Sequence, residues 1–276
     1  RCQGRGIPGR GGMKAKYIYR STAATDPGLQ KPVNEDCYFD SVQLRLNEEL
    51  LQRLGYVYAV ADGVSGQVGG EVASKIALDT LRMYYVLPHV EIPPLDRLRN
   101  VFLEAHRRIA EYAQEHPEYR GMGTTLRTMV LKDGCVYYGH VGDSRLYLIH
   151  NGTQQMEQLT EDHSLVAKFV REGKLTPEEA EEEDANVLEQ ALGCVPHIHI
   201  DAGEYDSLQQ GDILLLSSDG LTDLVSDAKI REIVLSSPSL TDACRRLIMK
   251  ANQHGGKDNI TVVLVGLEEN TQDPNS

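Results

Sequence analysis

Short apolar runs that end or begin beside an aspartate recur along the chain. Runs of this length, bounded by turn residues, are typical of buried strands. There are four such places: Asp62 after the run 56–61, Asp219 after 213–218, Asp258 before 260–267, and Asp36 before 37–39. The pattern therefore predicts aspartates at the ends of several buried strands, where their side chains can converge on one site.

Two of these aspartates, Asp62 and Asp219, are followed at once by glycine. A single Asp-Gly pair is most often only a turn, so the prediction depends on its recurrence. Carboxylate and carbonyl oxygens are the ligands that magnesium and manganese prefer. Gly63 has no side chain, so its carbonyl can approach a ligand closely. The pattern predicts a site for hard divalent cations.

The remaining periodicity predicts a mixture of strands and helices. Alternating segments joined by Asp133-Gly134 and Asn151-Gly152 predict two β-hairpins. Thr176, followed by proline and acids, predicts a helix start. The predicted strands are 16–20, 37–44, 54–61, 124–131, 135–141, 144–150, 154–159, 198–206, 212–218 and 260–267. The predicted helices are 70–87, 94–115, 161–173, 227–235 and 240–254. Strict βαβ alternation is absent, which favours an α+β fold of two antiparallel sheets flanked by helix pairs.

The 276 residues show no internal repeat and no linker. We expect a single catalytic domain over residues 13–270. Residues 1–12, rich in glycine and arginine, are expected to be a cloning remnant or a disordered leader, and residues 271–276 a tail. One large domain of this length buries enough surface to fold without disulfides.

Charge and cysteine usage narrow the class of protein. Lysine and arginine number 28 against 41 acids, a formal charge of −13. Nucleic-acid and anionic-membrane binders carry basic faces, so we expect neither partner. No apolar run approaches the about 18 residues of a membrane helix. The five scattered cysteines form no Cys-x-x-Cys pair, which indicates reduced thiols and a cytoplasmic protein.

Several motifs occur in an order that resembles the metal-dependent protein phosphatases of type 2C, in their bacterial form. These motifs are Asn34-Glu35-Asp36, Asp62-Gly63-x-x-Gly66, Gly123-Thr124-Thr125, Gly142-Asp143-Ser144-Arg145, Thr160-Glu161-Asp162-His163-Ser164, Ser218-Asp219-Gly220 and Asp258-Asn259-Ile260-Thr261. The ordered set covers roughly residues 16–267, and it is far more specific than one Asp-Gly pair.

The resemblance implies a four-layer α-β-β-α sandwich with a binuclear manganese or magnesium centre. Asp62 would bridge the two ions, and the Gly63 carbonyl would bind one of them. Asp219 and Asp258 would hold one ion, and Asp36 would anchor a coordinated water. The activity implied is hydrolysis of phosphoserine and phosphothreonine by a metal-bridging water or hydroxide, a task suited to paired cations.

The resemblance also implies finer features. Asp143, with Asp219, matches the position of a third, weaker ion. Residues of about 160–195 match a flap beside the site, with Thr160, His163 and Ser164 at its base. The partners implied are phosphoproteins modified by a serine/threonine kinase, and we expect a monomer.

Two departures from the family pattern stand out. Lys31 occupies the position where the family usually has a phosphate-gripping arginine, and lysine offers a point charge rather than a bidentate fork. We expect Lys31 at the phosphate, with a solvent-facing loop position as the alternative. Arg20 is a candidate helper or else a surface charge. Val64 follows Asp62-Gly63, where eukaryotic members have a histidine, so the leaving oxygen must take its proton from water. With Lys31, Asp36 and Asp143 are the expected catalytic residues.

Two other functions remain open from the sequence. A catalytically dead phosphatase-like module would keep the fold and lose ligands, and all four core aspartates are present. A two-metal nuclease or phosphodiesterase would need a basic groove, which a charge of −13 disfavours.

Overall fold

The computed structural model describes residues 17–64, 68–86, 92–176, 179 and 187–269. Within them the strands are β1 (Tyr17–Asp26), β2 (Cys37–Asp40), β3 (Tyr56–Ala61), β4 (Leu126–Lys132), β5 (Cys135–Val141), β6 (Arg145–Ile149), β7 (Met156–Gln158), β8 (Asp201–Tyr205), β9 (Ile213–Ser217) and β10 (Ile260–Glu269). The helices are α1 (Glu48–Leu54), α2 (Gly70–Val86), α3 (Pro94–Glu115), α4 (Leu165–Arg171), α5 (Asp219–Thr222), α6 (Asp227–Ser236) and α7 (Leu240–Gln253), with a 3₁₀ turn at Pro117–Tyr119.

The described strands form two antiparallel sheets. The first has the order β1-β10-β9-β6-β7 and the second β2-β3-β4-β5-β8. Their apolar faces pack against each other through residues such as Tyr58, Met129, Leu216 and Val263. Because both sheets present one face to this shared core, their outer faces need separate cover.

Helix pairs supply that cover. Leu81 of α2 and Phe102 of α3 pack on the outer face of the second sheet. Ile230 of α6 and Leu247 of α7 pack on the outer face of the first. The arrangement is the predicted α-β-β-α sandwich of two antiparallel sheets flanked by helix pairs.

Several predicted boundaries were wrong for local reasons. The predicted strand 37–44 ends at Asp40, because the Asp40 carboxylate accepts the backbone N–H groups of Val42 and Gln43 and turns the chain. The first strand continues to Asp26 because it pairs with β10 along its whole length. Helix α1 was not predicted; Asn47 caps it by accepting the N–H of Leu50. The predicted helix 161–173 is confined to α4.

Some expectations fall outside the described residues. These are the leader 1–12 and the tail 271–276.

At the predicted helix start, Thr176 and Glu179 exchange hydrogen bonds between side chain and backbone N–H, as in a capping box. In the described ranges, none of the helices is both long and apolar enough to cross a bilayer.

Candidate metal centre

Aspartates from both sheets meet at one end of the sandwich. Asp36 precedes β2 and Asp62 follows β3, and these strands pair through Cys37 and Ala61. On the first sheet, Asp219 follows β9 and Asp258 precedes β10, its neighbour. Burial raises the pKa of Asp62 well above its usual value. The neighbouring negative charges raise it further, and they belong to Asp36, Asp219, Asp143 and Asp258. The convergence expected from the strand ends is present.

The core carboxylates are buried yet incompletely hydrogen-bonded. Asp36 is 4% exposed and Asp62 is 9% exposed. Asp36 Oδ2 accepts the Ser218 hydroxyl at 2.7 Å. Among the described residues, no donor reaches Asp36 Oδ1 or Asp219 Oδ1, although both atoms are buried. Buried charge without a partner is costly, and a divalent cation is the partner that suits clustered carboxylates.

Electrostatic repulsion is visible in the pKa values of the cluster. Burial raises the pKa of Asp36 to about 6, against the hydrogen bond from Ser218. Burial, and then the charge of Asp162, raises the pKa of Asp143 to about 7. Burial and the charge of Asp143 raise the pKa of Asp219 well above its usual value. Each of these carboxylates resists ionisation, and a bound divalent cation would offset that resistance.

Gly63 is required by close packing at the centre of the site. A Cβ at this position would lie 2.5 Å from the carbonyl carbon of Gly70, the first residue of α2. The Gly63 N–H donates to the carbonyl of Glu35 at 3.3 Å. The backbone on both sides of Asp62 is therefore fixed by neighbours from two other segments.

Lys31 lies at this cluster rather than in open solvent. Its Nζ is 3.0 Å from Asp258 Oδ2, and its side chain is 24% exposed. The loop that carries it is held by Asn259, which accepts the Glu35 N–H and donates to the carbonyls of Pro27 and Val33. By contrast, Arg20 pairs with Glu268 on the exposed surface, so it is a surface charge.

Comparison with known proteins decides the family. A profile of the protein phosphatase 2C family matches residues 49–256. The chain belongs to the protein phosphatase 2C family. Protein phosphatase PhpP of Streptococcus pneumoniae is 37% identical over 249 residues, which cover 89% of this chain and 96% of the relative. The chain is a serine/threonine protein phosphatase.

Solved structures agree with this assignment. Serine/threonine phosphatase Stp1 from Staphylococcus aureus superposes with a TM-score of 0.82 at 31% identity, covering 95% of this chain and all of that one. The catalytic domain of the phosphatase PstP, solved with two manganese ions, gives a TM-score of 0.76 at 31% identity over 92% of this chain and all of that one.

In this phosphatase the predicted flap-base residues lie beside the aspartates, not among them. Thr160, His163 and Ser164 are all buried. Ser164 caps α4 by accepting the Ala167 N–H. His163 bonds Gly142, the residue before Asp143, through both its ring and its backbone. The flap base is thus attached to the Asp143 loop.

Sequence reasoning missed two acids and one amide of the phosphatase. Asp223, four residues after Asp219, adds its charge to those acting on Asp143 and Asp219; the i, i+4 spacing was the available signal. Asn259 fixes the Lys31 loop; its place in the Asp258-Asn259-Ile260-Thr261 motif was the available signal, but the motif does not indicate that contact. Asp201 contacts His163, as described below, and its strand carries no local signal for that contact.

Proposed function

We propose that this phosphatase hydrolyses phosphoserine and phosphothreonine in proteins with two manganese or magnesium ions held by the aspartates. Asp62, the Gly63 carbonyl, Asp219 and Asp258 are the groups that would hold these ions, and Asp62 would be shared between them. The observation that carries the proposal is the convergence of buried carboxylates that raise one another's pKa. The two manganese ions bound by the related PstP support the choice of metal.

The donor set fits such ions. The oxygens of Asp36 and Asp219 that have no donor among the described residues are hard ligands, and so is a backbone carbonyl such as that of Gly63. Paired cations lower the pKa of coordinated water and neutralise charge on the phosphoryl oxygens. The protein's part is to hold the ligands rigidly, and Asp62 illustrates it: its N–H donates to Thr125 Oγ1, and its carbonyl accepts from Thr124 and Thr125.

Asp36 acts behind the ions. Its Oδ2 is fixed by Ser218, whose hydroxyl oxygen also accepts the Thr261 N–H at 2.9 Å. One carboxylate oxygen is thereby oriented by the first sheet, and the other is buried without a donor among the described residues. We assign Asp36 the role of orienting a coordinated water.

Lys31 binds the substrate phosphate. In the structure its ammonium neutralises part of the charge on Asp258. The ammonium therefore places a positive charge at the edge of the carboxylate cluster, where it would attract a phosphoryl oxygen. A single ammonium cannot form the two parallel bonds of an arginine fork, so the phosphate is held less firmly than by arginine.

Asp143, with Asp219, holds a third and weaker ion. The charge of Asp143 is the largest contribution after burial to the raised pKa of Asp219. Register supports their proximity: Arg145 pairs with Ser217 across β6 and β9, and each aspartate lies two residues beyond that pair.

We also propose that the chain forms a single catalytic domain, acts as a monomer and is cytoplasmic. Each sheet is covered by helices of the same chain, which supports a single catalytic domain that acts as a monomer. The described cysteines Cys37, Cys135, Cys194 and Cys244 are free thiols, which supports a cytoplasmic location. The proposed activity would oppose that of a serine/threonine kinase.

Chelation tests the proposal. After exhaustive chelation, turnover of a phosphothreonine peptide should be abolished, and added manganese should restore it. Calcium at the same concentration is the control, because its larger size and higher coordination number suit the site poorly. Full activity in the chelated protein would overturn the assignment, and a folded protein inactive with every metal would favour the dead-module alternative.

A further inference from the structure

A second group of titratable side chains lies at the base of the flap. His140 on β5, His163 before α4 and Asp201 on β8 bring one ligand-type atom each within 4.8 Å of one another. His163 Nε2 is 2.9 Å from Asp201 Oδ2, and His199 Nε2 is 2.8 Å from Asp201 Oδ1. By distance alone this group could hold a metal ion.

The hydrogen bonds of His163 argue against a metal there. Its Nδ1 faces two donors, the Gly142 N–H at 3.2 Å and the Gln190 side-chain amide nitrogen at 2.9 Å. The Gln190 amide is oriented by the His199 backbone, since its nitrogen donates to the His199 carbonyl and its oxygen accepts the His199 N–H. Nδ1 therefore carries no proton.

The single ring proton must then sit on Nε2, where it is donated to Asp201. A cation at Nε2 would force that proton onto Nδ1, directly against two N–H groups. Zinc-type histidine ligands have the opposite pattern, in which the second ring nitrogen donates to an acceptor. The neutral state is consistent with burial, which lowers the pKa of His163. His163, with Gly142, Gln190 and Asp201, therefore forms a hydrogen-bonded clamp.

The clamp joins three segments. The His163 N–H donates to the Gly142 carbonyl at 3.1 Å, and the Glu189 N–H donates to the His163 carbonyl at 2.7 Å. His163 thus binds both the N–H and the carbonyl of Gly142, and it also binds Glu189, near the other end of the predicted flap.

Gly142 has little freedom of its own. Its φ of +108° lies in the region that favours glycine, and a Cβ would lie 2.6 Å from the Thr125 side chain. It directly precedes Asp143. The orientation of the peptide between Gly142 and Asp143 therefore determines the position from which the Asp143 side chain extends.

We propose that His163, with its tautomer fixed by Asp201 at Nε2 and by the donors at Nδ1, is a positioning residue. It holds the Gly142 N–H through its ring and the Gly142 carbonyl through its backbone N–H, so that the Asp143 carboxylate that follows meets the third cation. The inference rests on the proposed function, because it assumes that Asp143 binds that ion. Asp62 is held by Thr124 and Thr125 without any bond to His163, so the main pair of ions should not depend on the clamp.

Two substitutions test separately the hydrogen bonds made by the two ring nitrogens of His163. His163→Asn places an oxygen near the Nδ1 position, where it can still accept the Gly142 N–H, and loses Asp201. His163→Gln reaches Asp201 and leaves the Gly142 N–H without its acceptor. The matched control is His197→Gln, an exposed histidine outside the clamp. Manganese titration by calorimetry measures the tight and weak sites separately, and turnover is followed against manganese concentration.

We expect His163→Gln to weaken the low-affinity site by about 10-fold, the effect of about 1.4 kcal/mol, with the tight sites unchanged. Turnover should fall at limiting manganese and recover in part at high manganese. His163→Asn should lose less, and His197→Gln should match the parent. Equal losses in both His163 variants, or an unchanged weak site in His163→Gln, would overturn the inference.

A further variant guards against misfolding. Asp201 is partly exposed, and Asp201→Ala removes the acceptor at Nε2 that holds the His163 ring, without disturbing the core. It should also weaken the low-affinity site, and an unchanged site would contradict the clamp. If the parent binds tight manganese but shows no weak site, the inference fails alone. If the parent binds no manganese, the proposed function fails with it.

Discussion

The phosphatase contains two groups of titratable side chains a short distance apart, and they are built on opposite principles. The aspartate centre (Asp36, Asp62, Asp143, Asp219 and Asp258) gathers like charges, and burial raises the pKa values of Asp36, Asp62, Asp143 and Asp219. The histidine clamp (His163 with Gly142, Gln190 and Asp201) alternates donors with acceptors. Every polar atom of the His163 ring has a partner.

The difference shows why proximity of ligand-type atoms is a poor guide to metal sites. The centre leaves buried oxygens of Asp36 and Asp219 without donors among the described residues, so it is incomplete without a cation. The clamp is complete as it stands, and a cation would have to displace a proton that the surrounding N–H groups fix in place. Unsatisfied charge, rather than distance, distinguishes the two.

Removing one carboxylate from each group should give the largest contrast. Asp62→Asn should lower turnover by at least about 100-fold to 1,000-fold, the range for loss of one electrostatic contact at a reacting centre. Asp201→Ala should lower it by only about 10-fold at limiting manganese, because that residue acts through His163. Steady-state kinetics on a phosphothreonine peptide measures both, and comparable losses would erase the distinction.

The pH dependence of stability should have opposite signs in the two groups. In the metal-free protein the pKa values of Asp36, about 6, and Asp143, about 7, exceed the usual 3.8. Their contribution is complete below about pH 4 and is lost as pH rises through 6 to 7. Burial acts to raise the pKa of Asp201, but its hydrogen bond with His163 and the charges of His163 and His199 outweigh it and lower that pKa. Its contribution is present at neutral pH and is lost as pH falls below its usual range.

Urea denaturation in chelator, repeated across this pH range, checks the sign. The free energy of unfolding should fall less between pH 5 and pH 8 in Asp143→Asn than in the parent, since the amide stays neutral. In Asp201→Ala the fall should be as steep as in the parent. A parent whose metal-free stability rises from pH 5 to pH 8 would contradict the repulsion assigned to the centre.

Much of the aspartate centre could be predicted from the sequence, whereas the clamp could not. An aspartate at the end of an apolar run is a local signal, and Asp36 and Asp62 met because their strands are neighbours. The helix Pro94–Glu115 also matched, because its periodicity persists over 22 residues.

Contacts that depend on tertiary pairing left no such signal. Asp201 reaches His163 only because β8 pairs with β5, and the two residues are 38 positions apart. Lys31 could be assigned to the phosphate only through the family pattern; its contact with Asp258, 227 residues away, is a product of the fold. Helix α1 was missed because seven residues are too few for a periodic signal.

The smallest expected effect concerns Lys31, which belongs to the edge of the aspartate centre. Lys31→Arg should lower KM by about 10-fold, since one added charge-assisted bond is worth about 1.5 kcal/mol at the lower end of its range. Lys31→Ala should raise KM. Arg20→Ala, which removes a surface cation, is the matched control and should leave KM unchanged. KM values insensitive to both Lys31 variants would place the phosphate elsewhere.

Counting the ions bound by the metal-free protein tests the central claim most directly. Manganese titration by calorimetry should show two tight ions per chain, with a third of lower affinity. Asp62→Asn should lose both tight ions together, because we propose that they share that carboxylate. Tight binding of a single ion, no tight binding at all, or a full tight pair in Asp62→Asn would contradict a binuclear centre built on the converging aspartates.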